Sequence, residues 1–503
     1  MQTNSYWIET APGAAFPKLE CDLRVDALVV GGGITGLTAA YLLCKAGQSV
    51  AVVERGRIGQ AETGHTTAHL TCATDARLSD LVKKFGRDHA QAAWDAGASA
   101  MAQIQANVAD AGIACELRAA PAFLVAAADA EAGEADRLRE EAALAAEMGF
   151  DAAFVEKAPL TGRPAMRLAN QLKFHPLKYV QALAREIVRM GGQVFEETEV
   201  AEFHAEPRRV TAGGHGITFD FAVLATHVPL QGNTGTLSAA LLQTKLAAYS
   251  TYAIEARVPS GALPEMMWWD TANPYLYLRV DRGDTGDRLI LGGEDHKTGQ
   301  KTDTEACYQK LERILRAMVP DSPIVERRWS GQVIESVDGL PYIGEVGDGQ
   351  FVATGFAGNG MTFGTLAGMM ARDAATGARN PWRELFAVER KTLSATWDYL
   401  RENSDYPFYM AKGLLAGAAG DDVAKLSRGE GKIVRVDGHK AAAFCDDAGG
   451  MHIHSAICPH LGCVVAWNEA ERTWDCPCHG SRFLATGELM SGPAEKGLEK
   501  PKP

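Results

Sequence analysis

Long apolar runs are missing from this sequence of 503 residues. None approaches the roughly 20 residues that a membrane-spanning helix needs, so no transmembrane segment is predicted. The N-terminal stretch lacks the charged-then-apolar layout of a secretion signal and has no twin arginines, which predicts a cytoplasmic location. Positive charge is also scarce. Lys and Arg total 50 against 63 Asp and Glu, a net charge of −13 with no long basic run, which argues against nucleic acid and anionic membranes as partners. A disulfide framework is lacking as well. Of ten cysteines, Cys21, Cys44, Cys72, Cys115 and Cys307 are scattered singly, a pattern that fits reduced and mostly buried thiols. Apolar residues at 46% and charged residues at 22% are ordinary for a soluble globular protein, and the length predicts two or three domains.

What is present starts at residue 26. Asp26-Ala27-Leu28-Val29-Val30 is a short apolar run, read as a buried parallel strand. Gly31-Gly32-Gly33-Ile34-Thr35-Gly36 follows, then a helical pattern through Lys45, then a second strand over 49–53 that ends at Glu54 and Arg55. This is G-x-G-x-x-G between strand and helix, with an acid 18 residues past the last glycine, the layout of a dinucleotide site. Gly31 allows the tight turn, Gly33 lets a pyrophosphate approach the backbone, and Gly36 lets the helix pack on the strand. The helix N-terminus at Ile34 and Thr35 would hold the pyrophosphate, and Glu54 the ribose hydroxyls. Thr66 and Thr67, read as opening a helix, offer a second contact with a flavin dinucleotide or a helix cap.

Further on, helices are predicted over 79–111 and 129–148, flanking a strand near 117–127, and again up to about Arg189. Strands follow at 194–195, 199–203 and 221–226. The segment 244–293 alternates as a large antiparallel sheet carrying Tyr249, Tyr252, Trp268, Trp269, Tyr275 and Tyr277, as core or as pocket walls. A helix over 304–319, a strand over 324–336 and a turn at 338–344 lead to a second glycine loop. That loop contains Gly358, Gly360, Met361 and Thr362 at the start of a helix, a second dipole site. It lacks the strand and ribose acid of another dinucleotide fold, so one dinucleotide is expected and no NAD domain.

These features make residues 26–376 similar to the FAD-dependent oxidoreductases of the D-amino-acid oxidase, glycine oxidase and sarcosine oxidase family. The resemblance implies FAD, an α/β Rossmann-like half (mainly 24–80, 172–230 and 330–376) and an antiparallel-sheet substrate part (mainly 81–171 and 244–329). It implies oxidation of an amine or amino acid by hydride transfer to FAD. It also implies contacts to FAD at Val200, Ala225 and Thr226, and a substrate-carboxylate clamp at Arg279. The region 386–415 reads as helical and 416–422 is rich in small residues. The expected domains are 1–410, a linker at 411–421, and 422–503. Both glycine loops precede the linker, so a chain cut at 422 is expected to keep FAD.

The last domain carries Cys458-Pro-His460-Leu-Gly-Cys463 and Cys476-Pro-Cys478-His479-Gly-Ser481-Arg-Phe483. Two thiolates and two imidazoles suit a tetrahedral zinc or a Rieske [2Fe–2S] centre. Zinc has no use for Cys463 and Cys478. The stretch resembles the Rieske proteins of quinol-oxidising complexes, an expected small all-β domain. That resemblance implies that Cys458, His460, Cys476 and His479 are iron ligands and that Cys463 and Cys478 form a disulfide. In the high-potential relatives a Ser and a Tyr follow the second pair and their hydroxyls point at sulfur. Here Ser481 keeps the first, while Phe483 replaces the second. The segment containing Gly492 and Pro493 resembles the loop that covers the cluster.

A two-electron carrier coupled to a one-electron carrier predicts an oxidoreductase that passes electrons singly to an external acceptor. The external partner would be a ferredoxin-like protein or a quinone. The rival expectations are a reductase, fed through the cluster by a ferredoxin-like donor, and a non-enzymatic redox sensor.

Overall fold

The computed structural model describes residues 4–390, Tyr409 and 426–501, apart from 12, 14, 205, 229–241, 243–244, 284–285, 320–322 and 348. The expected linker at 411–421, and the helical reading beyond 390 with Trp397 and Tyr399, lie outside the described residues.

The dinucleotide half is built on an eight-stranded sheet. Its central strand Leu23–Val30 pairs in parallel with Val50–Val53 on one side and His215–Leu224 on the other, in register Val29 to Val52 and to Val223. All four residues of Val50–Val53 are buried, the apolar run expected where both faces of a parallel strand are covered. Helices Ile34–Lys45 and Gly360–Thr376 pack on each other across this sheet. Gly364 and Gly368 make that approach possible. A Cβ on Gly368 would lie 2.7 Å from Thr38 Cγ2, and one on Gly364 2.8 Å from Thr35 Oγ1. The two glycine-loop helices therefore start side by side.

The second half is a nine-stranded sheet running Ile324–Ser336, Leu246–Val258, Asp287–Lys297, Tyr277–Asp281, Met267–Asp270, Arg118–Val125, Ala165–Lys173 and His69–Leu70, with Ala152–Val155 on Ala165–Lys173. It departs from a purely antiparallel sheet, because Met267–Asp270 and Arg118–Val125 pair in parallel. Helix Glu305–Met318 covers one face through Tyr308, Leu311 and Leu315, which join Tyr252, Trp268 and Leu291 in one core.

The C-terminal domain has a three-stranded sheet (Gly431–Val436, His439–Cys445, Met451–Ser455) and a four-stranded one (Ala466–Asn468, Thr473–Asp475, Arg482–Leu484, Leu489–Ser491). Every pairing in both sheets is antiparallel. Its core gathers Trp474 and Phe483 around the cysteines. No described helix is long and apolar enough to cross a membrane.

Candidate active site and cluster centre

A cavity of about 500 Å³ opens between the two large sheets. Gly31, Gly33, Ile34, Thr35, Glu54, Arg55, Thr66, Thr67, Val200, Ala225, Thr226, Gly358, Gly360 and Met361 line it. Gly36 and Thr362 stand behind this wall. Gly36 is packed so closely that a Cβ would sit 1.9 Å from Gly31 O, and Thr362 Oγ1 donates to Thr71 O at 3.1 Å. Gly31 has φ +108, and a Cβ there would fall 2.3 Å from Ala225 O. Gly33 is different: an added Cβ would meet only Thr63 Oγ1 at 3.1 Å, so the backbone is bare on the cavity side. Glu54 accepts from Gly32 N (2.7 Å) through one oxygen and from Gly56 N (2.8 Å) through the other. Each carboxylate oxygen can accept a second bond, so ribose hydroxyls fit there. A cradle bare of Cβ atoms, a helix N-terminus and a fixed acid are the chemistry that a dinucleotide requires.

Thr66 and Thr67 do not open a helix, as the sequence reading had them do. They lie in a bend entering strand His69–Leu70, where Thr66 Oγ1 accepts from Ala68 N (2.9 Å). Short hydroxyl residues serve such turns as readily as helix starts. Both still face the cavity. Thr67 Oγ1 is 3.0 Å from His69 Nδ1, and His69 Nε2 is 3.0 Å from Leu278 O. The carbonyl can only accept, so Nε2 carries the proton and Nδ1 accepts from the hydroxyl. Burial holds His69 neutral, with its pKa lowered to about 4.

Arg279 is not at this cavity, which corrects its assignment as a carboxylate clamp. It is 3% exposed, and its Nε donates to Asp281 Oδ1 at 2.9 Å. Nη1 donates to Ala68 O (2.9 Å) and Thr67 O (3.3 Å), and the guanidinium lies 5.0 Å from the Trp7 ring centre. Lys173 adds a second cation 2.7 Å from Asp281. Against the upward push of burial, Arg279 and Lys173 hold the Asp281 carboxyl down at about 2. The residues that sequence reasoning missed lie elsewhere on the wall: Asp75, Thr251, Asp295 and His227. Of the aromatics weighed as pocket walls, Trp269, Tyr275 and Tyr277 line the cavity, whereas Tyr252 and Trp268 are core.

In the C-terminal domain, Cys463 and Cys478 form a disulfide, while Cys458 and Cys476 are free and buried. The sulfurs of Cys463, Cys476 and Cys478 all lie within 4.8 Å of one another, so the bridge is packed against the free thiol of Cys476. His460 and His479 meet edge to face with ring centres 4.9 Å apart, and the Nδ1 atom of each is buried and makes no hydrogen bond. Two free thiols facing two such imidazoles fit a mixed Cys/His iron–sulfur ligand set. The Ser481 hydroxyl bonds the Cys458 sulfur and accepts from Ala494 N at 2.9 Å. Phe483 is fully buried among these residues.

The two centres share a wall. Residues 489–496 line the cavity beside Val228 and Arg55. Arg55 Nη2 donates to Met490 O at 2.7 Å. Gln332, on the cavity wall, donates from Nε2 to Gly480 O (2.7 Å) and accepts at Oε1 from Ser491 Oγ (2.7 Å). Gln300 Nε2 donates to Pro477 O (3.1 Å), and Thr304 Oγ1 donates to Asn468 Oδ1 (2.8 Å). Gly299, at φ +77, lies against the second ligand loop so tightly that a Cβ would come 2.8 Å from the Cys476 carbonyl carbon.

Residues 26–374 match the family FAD dependent oxidoreductase, and residues 419–502 match the Rieske [2Fe-2S] domain. The protein YhfW of Bacillus subtilis (strain 168), which carries the name Rieske 2Fe-2S iron-sulfur protein, is 32% identical over 99% of this chain and 97% of its own. Glycine oxidase from Geobacillus kaustophilus superposes with a TM-score of 0.61 at 21% identity, covering 73% of this chain and 99% of that one. L-amino acid deaminase from Proteus vulgaris superposes with a TM-score of 0.60 at 14% identity, covering 75% and 100%. At those identities the two superpositions speak for the fold alone. The chain is thus an oxidoreductase of the FAD dependent oxidoreductase family that carries a C-terminal Rieske [2Fe-2S] domain.

Proposed function

We propose that the protein oxidises the C–N bond of an amine or amino acid and delivers the electrons singly to an external one-electron acceptor. The observation that carries this reading is the shared wall: the second cluster loop and the loop 489–496 sit on the dinucleotide cavity through Gln332 and Arg55. When bound, FAD supplies a two-electron hydride acceptor, and the [2Fe–2S] centre supplies a one-electron carrier. Cys458, Cys476, His460 and His479 would hold the cluster. The starts of helices Ile34–Lys45 and Gly360–Thr376 would stabilise negative charge on the dinucleotide. The substrate carbon bearing nitrogen loses a hydride. The iminium left behind takes up water and yields a carbonyl compound and ammonium. Two electrons and one proton then leave, the electrons one at a time. The free, mostly buried cysteines support a reducing, cytoplasmic setting for this chemistry.

The test is anaerobic rapid mixing of the holoprotein with amines and amino acids. Loss of the flavin band should be followed by the signal of the reduced cluster. Bleaching by a ferredoxin-like protein donor, and by no amine or amino acid, would reverse the direction of flow and overturn the reading.

A further inference from the structure

One region of the cavity is acidic and aromatic. Asp75 and Asp295 line it together with Thr251, Trp269, Tyr275 and Tyr277. Asp75 Oδ2 accepts from Gly358 N at 2.5 Å, at the start of the second glycine loop. A Cβ on Gly358 would come 2.6 Å from the Tyr275 hydroxyl and 2.9 Å from Asp75 Oδ2, so the loop has no room for a side chain there. Tyr277 OH and Thr251 Oγ1 lie 2.6 Å apart, and Tyr275 and Tyr277 have ring centres 5.7 Å apart. Asp295 Oδ1 is buried and makes no hydrogen bond, although the Thr251 hydroxyl is a hydrogen-bond partner of the same carboxylate. A buried carboxylate oxygen in this state is costly unless something cationic or protic meets it.

Among the described residues, no fixed positive charge is bonded to these acids. Among the described residues, the Arg and Lys side chains lining the cavity are Arg55 and Lys496. Arg55 bonds Met490 O and lies near Glu199, beside Glu54, while Lys496 belongs to the C-terminal loop. His69 is spoken for by Leu278 O and Thr67 Oγ1, and Arg279 by Asp281. A substrate carboxylate placed here would find two acids and, among the described residues, no cation beside them. A substrate cation would find two acids and three aromatic side chains, the kind of surroundings that attract ammonium groups.

The geometry points to a cationic amine without a carboxylate as the substrate class, its ammonium received by Asp295 and Asp75 between Trp269, Tyr275 and Tyr277. This inference rests on the C–N oxidation reading above. Asp295 receives the ammonium as an ion pair and takes its proton, which frees the nitrogen lone pair that hydride loss requires. The carbonyl product and ammonium follow by the balance already given, and the proton passes to solvent. Burial raises the Asp295 carboxyl to about 7 and, against the Gly358 N–H bond, Asp75 to about 6, so both exchange protons near neutrality.

The experiment uses the holoprotein and two readouts. The first is equilibrium binding of benzyltrimethylammonium and of benzoate, followed by shifts of the flavin bands and by calorimetry. The cation should bind roughly tenfold or more tightly than the carboxylate, and Asp295→Asn should erase that preference while the flavin spectrum stays intact. The second is anaerobic bleaching by pairs that differ in one carboxylate: phenethylamine with phenylalanine, and putrescine with ornithine. The amine of each pair should bleach faster by roughly tenfold or more. Equal or tighter benzoate binding, or faster bleaching by the amino acids, overturns the inference and leaves C–N oxidation standing. Preferential cation binding with no bleaching by any amine or amino acid supports the cation site and overturns C–N oxidation instead.

Discussion

Gln332 and Gly480 are bonded across the domain boundary, amide Nε2 to carbonyl oxygen at 2.7 Å. The same side chain accepts from Ser491, so it holds the second ligand loop and the covering loop together. Gln332→Leu removes both bonds, together with the 3.3 Å bond from Nε2 to Thr298 Oγ1, and leaves Gly480 O without this donor, at about 1–3 kcal/mol. The expected outcome is cluster reduction slowed by roughly tenfold after flavin bleaching, with bleaching itself affected less. Stopped-flow absorbance at the two chromophores measures both rates. An unchanged rate of cluster reduction would separate this contact from electron transfer.

The cluster potential is expected in the lower half of the Rieske range of about −150 to +300 mV. Hydrogen bonds to the sulfurs stabilise the reduced cluster, and Ser481 bonds Cys458 while Phe483 has no hydroxyl to offer. One bond of about 1 kcal/mol corresponds to roughly 40 mV for one electron. Ser481→Ala should lower the midpoint by that order and Phe483→Tyr should raise it. Redox titration of the reduced-cluster signal reads both shifts.

Arg279→Ala should destabilise the chain and leave carboxylate recognition alone. The lost bonds run from a buried guanidinium to Asp281 and to two backbone carbonyls, worth about 2–3 kcal/mol in sum because Lys173 still neutralises Asp281. Thermal unfolding should show the loss. A Michaelis constant that rises for carboxylate substrates but not for amines would return Arg279 to the site.

Asp475 and Arg482 are 1% exposed each and joined at 3.1 Å. Asp475 also accepts from Asn468 Nδ2 (3.0 Å) and Thr473 Oγ1 (2.9 Å). Asp475→Asn leaves a buried guanidinium without its counter-charge, which costs about 3–5 kcal/mol. The neighbouring residue Cys476 is a proposed ligand, so iron content per chain should fall along with the melting temperature. Retained iron and an unchanged melting temperature would count against this pair as a support of the ligand loop.

The raised carboxyls give stability a signed pH dependence. Asp295 and Asp75 ionise at about 7 and about 6 in the folded chain, against 3.8 as the ordinary value. Between about pH 4 and 7 the folded state binds more protons than the unfolded state, so their contribution falls as pH rises through that window. Asp295→Asn should flatten the decline in melting temperature from pH 5 to pH 7.5. An identical slope in both proteins would remove Asp295 as its source.

Much of this architecture is local enough to be read from the sequence. The strand, turn, helix and acid around Gly31 and Glu54 are fixed by φ, by helix spacing and by close approach, all within thirty residues. The paired Cys/His motifs are equally local. Arg279 was misplaced because its environment is not local: the N-terminal helix Tyr6–Thr10 brings Trp7 over it, and the bend at 66–68 supplies its carbonyl acceptors. Thr66 and Thr67 suit a turn or a helix start equally well, and tertiary contacts decided. Asp75 and Asp295 carry no motif. Asp295 has one signal, an acid in an otherwise buried strand, Leu291-Gly-Gly-Glu-Asp295, and Asp75, in the bend before helix Leu78–Phe85, has none. The contact between Gln332 and Gly480 spans 148 residues and two domains, beyond any spacing rule.

The loop 489–496 has a further consequence, for the order in which the protein matures. The sequence alone implied that a chain cut at 422 keeps FAD, but that cut deletes part of the cavity wall. This part of the wall is synthesised last, and it seats through the same domain that must acquire iron. The wall around the dinucleotide is complete only once that domain docks. Iron starvation during synthesis should therefore yield chains poor in flavin as well as in iron, and the two contents should rise together when iron is restored.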